Sequence, residues 1–254
     1  MSSGNPCAKV LLRSAHCSFP QSWITGEMDS SSRNAENLAA AANPMTSSPP
    51  SWPLSWIARS HRALVFGRRT RVLADALAPL IPVEARTVLD IGCGDGTIAR
   101  LLAQRRPDLV IEGVEVNPRP TCQIECRAFD GSQLPFPDGS FDVCLFVDVL
   151  HHTSDVTQLL REAARVSRSH IVLKDHLSET SLDDATLRAM DWVGNRPHGV
   201  TLTYNYQSVR QWQEHFEACG LQATQISTAV HVYPFPFSVI FGRKLHFVAQ
   251  LTKE

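Results

Sequence analysis

The sequence lacks an apolar run long enough to cross a bilayer, because no hydrophobic stretch approaches the roughly 18 residues that a membrane helix needs. It also lacks an excess of either charge: 24 Lys and Arg stand against 25 Asp and Glu, and the formal net charge is -1. A balance this even provides no general attraction to nucleic acid or to an anionic membrane. We therefore expect a protein without an integral membrane segment and without a nucleic-acid partner.

The cysteines do not form a disulfide framework either. Seven of them are scattered over 254 residues, at positions 7, 17, 93, 122, 126, 144 and 219, and they show no paired metal-binding spacing. Free thiols in a reducing compartment explain this usage best. The sequence therefore favours a cytoplasmic location, and we predict no metal site.

The chain divides by composition into two parts. Residues 1–53 are rich in Ser, Ala, Asn and Pro and have no sustained apolar periodicity, so we expect a disordered N-terminal extension. Residues 54–254 are long enough for one α/β domain. Its first helix is predicted from Trp56 to Leu80, with a break at Gly67, and we interpret its arginines as a solvated face: Arg59, Arg62, Arg68, Arg69 and Arg71.

The most informative stretch runs from Thr87 to Gly96. A short apolar run ends in the carboxylate of Asp90, and a glycine then stands at every second position before helical spacing resumes at Thr97. This pattern predicts a strand, a tight turn and a helix. Glycines let a ligand approach the backbone closely, and the first N–H groups of the helix face the turn. We expect a cofactor to bind there.

Spacing separates the candidate cofactors. A dinucleotide fingerprint needs its third glycine at position 97, where Thr97 stands instead. The pattern Asp90-x-Gly92-x-Gly94-x-Gly96 resembles motif I of the class I S-adenosylmethionine-dependent methyltransferases. That resemblance implies a Rossmann-like, doubly wound α/β fold with a seven-stranded, mostly parallel sheet and an antiparallel final strand. A glycine-rich turn without a ligand remains an alternative.

Further acidic residues extend the resemblance. Val110 to Glu115 reads as the second strand, and a carboxylate at its tip can accept hydrogen bonds from both ribose hydroxyls. A third strand, Ile124 to Phe129, precedes Asp130, which by resemblance accepts from the adenine amino group. The connection between these strands is short and contains two prolines, so it holds no full helix. The implied cofactor-binding set is Asp90, Gly92, Cys93, Gly94, Gly96, Glu115, Asp130, Gly131 and Val147.

The end of the fourth strand, Phe141 to Val149, bears on the acceptor. Enzymes that methylate base amines commonly carry Asn/Asp-Pro-Pro-Tyr at this point, whereas this chain continues from Asp148 to the paired His151 and His152. The surrounding motifs resemble the small-molecule methyltransferases instead. Adjacent side chains on a forming helix diverge by about 100°, so we expect the two histidines to chelate one ion poorly.

The fifth strand, His170 to Lys174, leads to Asp175 and His176 at the edge where ligands bind in open α/β sheets. An imidazole there can take a proton from a substrate hydroxyl or amine. The candidate catalytic residues are His176 and His152 as proton acceptors, with Asp148 or Asp175 orienting them. The alternative is that His176 only ends the strand.

Two later segments are candidates for substrate contact. Leu177 to Tyr206 is predicted as an insertion that contains a lid loop. Tyr233 to Phe241 is unusually aromatic and either contacts a hydrophobic acceptor or covers the core, and we favour covering.

The function implied is methyl transfer from S-adenosylmethionine to a small-molecule acceptor, with a hydrophobic acceptor as one option. Two alternatives stay open: a nucleotide-binding oxidoreductase, and a methyltransferase-like binding module without catalysis. The oligomeric state stays undetermined.

Overall fold

The computed structural model describes residues 67–195, 203–235, 237–242 and 244–253 of the chain. The predicted N-terminal extension, the start of the predicted first helix and most of the predicted lid loop lie outside the described residues. Within the described residues, no helix combines the length and the apolar character needed to cross a membrane.

Seven strands form one sheet in the order β3-β2-β1-β4-β5-β7-β6. Strands β1 to β5 pair in parallel, and β7 runs antiparallel to both β5 and β6. The predicted fold class is confirmed. The strands are β1 Thr87–Ile91, β2 Val110–Glu115, β3 Cys126–Ala128, β4 Phe141–Val147, β5 Ser167–His176, β6 Leu221–Ser227 and β7 His246–Lys253.

In the part of the chain that the structure describes, six α-helices connect or flank the strands. The first, α1, covers residues 67–77, and a 3-10 turn follows it. The others are α2 Thr97–Arg105, α3 Val156–Val166, α4 Ser181–Asn195, α5 Val209–Ala218 and the short α6 Phe237–Phe241. Their starts are encoded locally: the Asp155 side chain caps α3 by accepting from the Gln158 amide, and Ser208 forms a capping box on α5.

Successive side chains of the central strands point to opposite faces of the sheet, and both faces are buried beneath helices. Leu89, Phe146 and Leu173 pack into the core layer that includes α3 and α5. Val88 and Val172 pack into the other layer, with α1 and α2. This two-sided burial explains the near-continuous apolar runs that predicted the strands.

Three elements depart from the predictions. The third strand has only three residues, which is shorter than predicted. No helix occupies residues 116–125, and this agrees with the expected irregular crossover. Strand β4 stops at Val147, since Asp148 adopts a positive φ of 58°. The aromatic segment covers the core only in part: Tyr233 packs against it, whereas Phe235, Val239 and Ile240 are 83%, 64% and 55% exposed.

Candidate active site

The candidate site lies at the carboxyl ends of β1 and β4, where the strand order reverses direction. The chain moves outward from β1 to β2 and β3, and then returns to place β4 on the other side of β1. The loops after β1 and β4 therefore diverge and leave a crevice between them.

The glycine loop after β1 has the geometry of a ligand-binding turn. Gly92, Gly94 and Gly96 have φ values of 72°, 61° and 70°, a region that side chains with a Cβ rarely adopt. A Cβ on Gly92 would lie 2.7 Å from a methyl group of Val149, so the end of β4 packs directly on the loop. A Cβ on Gly94 would meet open space. Gly94 is therefore the position at which the backbone is free to approach a ligand.

Glu115 braces this loop. One carboxylate oxygen accepts the Gly94 amide at 2.9 Å, and the other accepts the Val116 amide at 2.8 Å. The structure thus brings the tip of β2 against the glycine loop, as a ribose-binding carboxylate requires.

Asp90, the last but one residue of β1, is a buried carboxyl group beside this loop, with 3% exposure. Burial and the neighbouring Glu115 raise its pKa to about 8. Among the described residues, no donor forms a hydrogen bond with its side chain. Asp90 and Glu115 together place two carboxyl groups on this side of the crevice, and a cationic ligand would favour the ionised form of Asp90.

Asp130 lies at the outer end of the crevice, beyond β3. Its Oδ1 accepts the amides of Ser132 and Gln133 at 2.8 and 2.7 Å, which lowers its pKa. The next residue, Gly131, has a φ of 85°. The side chain lines an open cavity of about 520 Å³, together with Phe129, Gln133, Leu134, Pro135, Phe136 and Arg165.

A second group of polar residues follows β4, next to Val147. Asp148 forms ion pairs with Arg69 of α1 and with Lys174 of β5, whose ammonium group is fully buried. Burial opposes ionisation of Asp148, but these two cations outweigh it and hold its pKa below the usual range. Asp148 is therefore a carboxylate held in place, and it is a poor proton acceptor. Arg69 departs from the solvated face expected for its helix.

His151 lies between two carboxylates. Its Nδ1 is 2.7 Å from Asp175 Oδ1, and its Nε2 is 3.4 Å from Asp191 Oδ2. Burial alone would lower its pKa, but the two carboxylates raise it to about 10. The Tyr206 hydroxyl donates to Asp191 at 2.5 Å. His151 is thus an imidazolium whose charge is already balanced.

Three neighbouring histidines are neutral. Burial lowers the pKa of His152, and the charge of His151 lowers it further. His176 and His246 have pKa values well below the usual range, because of burial and the nearby Lys174. The His152 ring centroid is only 4.0 Å from that of His151, so the two rings diverge less than expected.

The two candidate bases differ in access. His176 is 5% exposed, and its Nδ1 lies 3.5 Å from Asp175 and 3.6 Å from Asp148. His152 as a whole is only half-buried, although its Nδ1 is a buried atom without a hydrogen-bond partner among the described residues. The ring of His152 is therefore the more approachable of the two.

The predicted site did not include several members of this group: Arg69, His151, Lys174, Asp191, Tyr206 and His246. They come from elements far apart in the chain, and only the short runs Lys174 to His176 and Tyr204 to Tyr206 offered a local signal. Trp212 helps to fix the group, since its buried Nε1 donates to the His176 carbonyl at 3.0 Å.

S-adenosylmethionine fits the cofactor side of the crevice, since it carries positive charge on its sulfonium and amino groups. Asp90 is a buried carboxyl that lacks a donor among the described residues, and Gly94 leaves space for a ligand against the backbone. Fold and site together define a doubly wound α/β protein that binds a nucleoside cofactor at its switch point.

The chain belongs to the methyltransferase family, because a model described as "Methyltransferase domain" matches residues 65–226. S-adenosylmethionine is accordingly its cofactor. A curated relative, 27-O-demethylrifamycin SV methyltransferase of Amycolatopsis mediterranei (strain S699), is 31% identical over 172 residues. The alignment covers 60% of each of these two chains, so this chain spans less than two thirds of that relative.

Solved structures share the fold. The YcgJ protein of Bacillus subtilis matches with a TM-score of 0.52 and 20% identity, over 74% of this chain and 99% of that one. A geranyl diphosphate methyltransferase in complex with GPP and sinefungin matches with a TM-score of 0.54 and 13% identity, over 72% and 77%. At these identities the likeness concerns the fold alone.

Proposed function

We propose that this protein transfers a methyl group from S-adenosylmethionine to a nucleophilic atom of a small molecule bound at the carboxyl ends of β4 and β5. The observation that carries the proposal is the polar group around Asp148, which adjoins the glycine loop through the contact between Val149 and Gly92. It combines fixed charges with neutral imidazoles at the point where donor and acceptor would meet.

The cofactor-binding residues proposed are those of the glycine loop, namely Asp90, Gly92, Cys93, Gly94 and Gly96. To these we add Glu115 for the ribose, Asp130 and Gly131 for the adenine, and Val147 at the end of β4. When bound, S-adenosylmethionine supplies a methyl group on a positively charged sulfur. The protein's task is then to align the acceptor and to remove its proton.

His152 is the proton acceptor that we favour. It is neutral near pH 7 and is half-buried rather than enclosed. His176 is the second candidate, since it is also neutral, but its ring is almost completely enclosed. Asp148 orients the group through Lys174 and Arg69.

A hydroxyl-bearing, partly apolar acceptor is the class we propose. The name of the relative from Amycolatopsis specifies an oxygen as its methylation site. Tyr233, in the aromatic segment, has its ring centroid 5.9 Å from that of His246, and the exposed Phe235 follows two residues later. An apolar surface thus continues from the polar group.

The test is methyl transfer from labelled S-adenosylmethionine to a panel of alcohols and phenols with apolar portions of increasing size. We expect a methyl ether as product. Replacing His152→Gln should lower kcat by about 100-fold to 10,000-fold, the range for loss of a general base, and leave cofactor affinity unchanged. His176→Gln tests the second candidate in the same assay. His170→Gln, at the opposite end of β5, is the matched control.

The pH profile adds an independent readout. Because the pKa of His152 lies below its ordinary value of 6.5, transfer should be constant above that pH and fall below it. The fall should vanish in His152→Gln. Cofactor binding without methylated product across the panel would instead support a binding module without catalysis.

A further inference from the structure

Three cysteines that are separated in the sequence meet beside the glycine loop. Cys93 stands in that loop, Cys122 in the irregular connection after β2, and Cys126 at the start of β3. Their Sγ atoms all lie within 4.8 Å of one another, and those of Cys93 and Cys126 are 3.5 Å apart. The expectation of scattered thiols without metal-binding geometry is thus wrong for these three residues.

The fold makes room for the sulfur atoms. A Cβ on Gly113 would lie 2.5 Å from Cys93 Sγ, so only glycine at that position of β2 admits the thiol. A Cβ on Gly96 would lie 3.2 Å from Cys122 Sγ. The absence of side chains at two glycines therefore creates the space in which the thiols converge.

The connection that carries Cys122 is fixed against the loop by its neighbour Gln123. The Gln123 amide donates to the Asp95 carbonyl at 3.0 Å, and its side chain bonds to Thr97 at 2.6 Å and to Arg100 at 2.5 Å. The three thiols are thus held by elements that are themselves hydrogen-bonded to one another. The site is organised before any ligand binds.

We propose that Cys93, Cys122 and Cys126 bind one zinc ion. Zinc bonds to cysteine sulfur at about 2.3 Å, and a tetrahedral arrangement then separates the sulfur atoms by about 3.8 Å. The Cys93–Cys126 separation of 3.5 Å, with all three sulfur atoms within 4.8 Å of one another, is compatible with that value. A disulfide would require two sulfur atoms to approach to about 2.05 Å.

The surrounding charges favour a cation of this kind. The carboxyl group of Glu115 acts on Cys126 and adds negative potential, while burial raises the pKa of the Cys93 and Cys126 thiols, whose protons the metal would displace. Three sulfur ligands select a soft ion such as zinc over magnesium or calcium. Three protein ligands leave a fourth position for water or for another ligand. The ion would tie the glycine loop to β3.

The acceptor side offers no comparable site. Two groups converge there, His151 with Asp175 and His176, and His151 with His152 and Asp191, but His151, which both share, already carries a positive charge between Asp175 and Asp191. A second cation there would have to displace that proton. The thiol group is the better metal site because no cation among the described residues occupies it.

The experiment is a zinc titration of the reduced, chelator-treated full-length protein against a chromophoric zinc indicator. We expect one zinc ion per chain. Cys126→Ser and, separately, Cys122→Ser should weaken binding on the order of 100-fold or more, since even the loss of an outer partner of a metal ligand costs 10 to 100-fold. Cys122→Ser changes an irregular segment and should fold normally, which circular dichroism would check.

Two control variants exclude three of the four remaining thiols, and the fourth, Cys144, is fully buried in β4. Cys219→Ser removes a half-buried thiol of another element, and Cys7→Ser with Cys17→Ser removes those of the N-terminal segment; both should bind zinc as the native chain does. Cobalt substitution should produce sulfur-to-metal charge-transfer absorption that the Cys126→Ser variant lacks. Zinc should also raise the thermal midpoint of the native chain and not that of Cys126→Ser.

Three results would overturn the proposal: no bound zinc in the reduced native chain, equal zinc affinity in Cys126→Ser, or bound cobalt without sulfur charge transfer. These readouts need neither an acceptor nor turnover. The zinc proposal and the methyl-transfer proposal can therefore fail independently.

Discussion

The two sides of the crevice differ in whether their ionisable groups have partners of opposite charge. On the cofactor side, Asp90 and Glu115 place two carboxyl groups close together, with no cation among the described residues to balance them. On the acceptor side, Asp148 and Lys174 are equally deep, yet each charge there has a partner. The difference supports our proposal that one side binds a cationic ligand and that the other positions a neutral base.

The largest effect is expected from breaking the pairing on the acceptor side. Lys174→Met leaves the Asp148 carboxylate with Arg69 alone, and loss of one partner from a buried pair destabilises by 3–5 kcal/mol. Because Arg69 remains, we expect a decrease of about 3 kcal/mol in the free energy of unfolding. Chemical denaturation measures it.

Two variants sharpen that result. Lys244→Met removes an exposed lysine and should change stability little. Lys174→Met combined with Asp148→Asn should recover part of the loss, since the uncompensated carboxylate disappears and asparagine tolerates the positive φ. A single variant as stable as the native chain would contradict the pairing that we describe.

A smaller effect on stability should distinguish substitutions at two glycines of the cofactor loop. Both Gly92→Ala and Gly94→Ala strain a positive φ, at about 1–2 kcal/mol. Only the Gly92 variant also places a Cβ 2.7 Å from Val149, so it should be the less stable protein in denaturant unfolding. Gly94→Ala, whose Cβ projects into open space, should instead lose affinity for S-adenosylhomocysteine. The opposite pattern would mean that the ligand does not lie against Gly94.

The third effect is the pH dependence of the cofactor side. In the free chain the pKa of Asp90 is about 8, above its ordinary 3.8, so the folded state binds more protons than the unfolded state between these values. Stability should therefore decrease as pH rises from about 4 to about 8 through this group. A cationic cofactor favours the carboxylate, so its affinity should rise up to about tenfold per pH unit and level off above pH 8.

Calorimetry in buffers of different ionisation enthalpy would count the proton released on cofactor binding. The release near pH 7 should disappear in Asp90→Asn. An affinity for S-adenosylmethionine that does not change between pH 6 and pH 8 would show that Asp90 does not respond to the cofactor.

The same contrast explains what the sequence could predict. The glycine loop and the tip of β2 lie within 29 residues of one another, from Thr87 to Glu115, and their spacing follows from one strand-helix-strand unit. The sheet was predictable for a similar reason, because two-sided burial produces continuous apolar runs. Helix α5 was predictable down to its capping residue, Ser208.

The acceptor side was only partly predictable, because its contacts are long-range. Arg69 and Asp148 are 79 positions apart, and Lys174 and His246 are 72 apart. Nothing in the helical pattern of α1 marks one arginine as turned inward. The convergence of the three cysteines was not predicted for the same reason, since two connections had to fold against each other before Cys93 met Cys122 and Cys126.

The most direct test of the account is calorimetric titration of the full-length protein with S-adenosylmethionine and S-adenosylhomocysteine, in the native form and in two variants. We expect the native chain to bind both ligands. Glu115→Ala should weaken binding by about 10 to 100-fold, the loss of one charged hydrogen bond of about 1.5–3 kcal/mol. Glu125→Ala, which removes an exposed carboxylate nearby, should bind as the native chain does. Binding of NADH, with no binding of either S-adenosyl ligand, would contradict the assignment of this crevice.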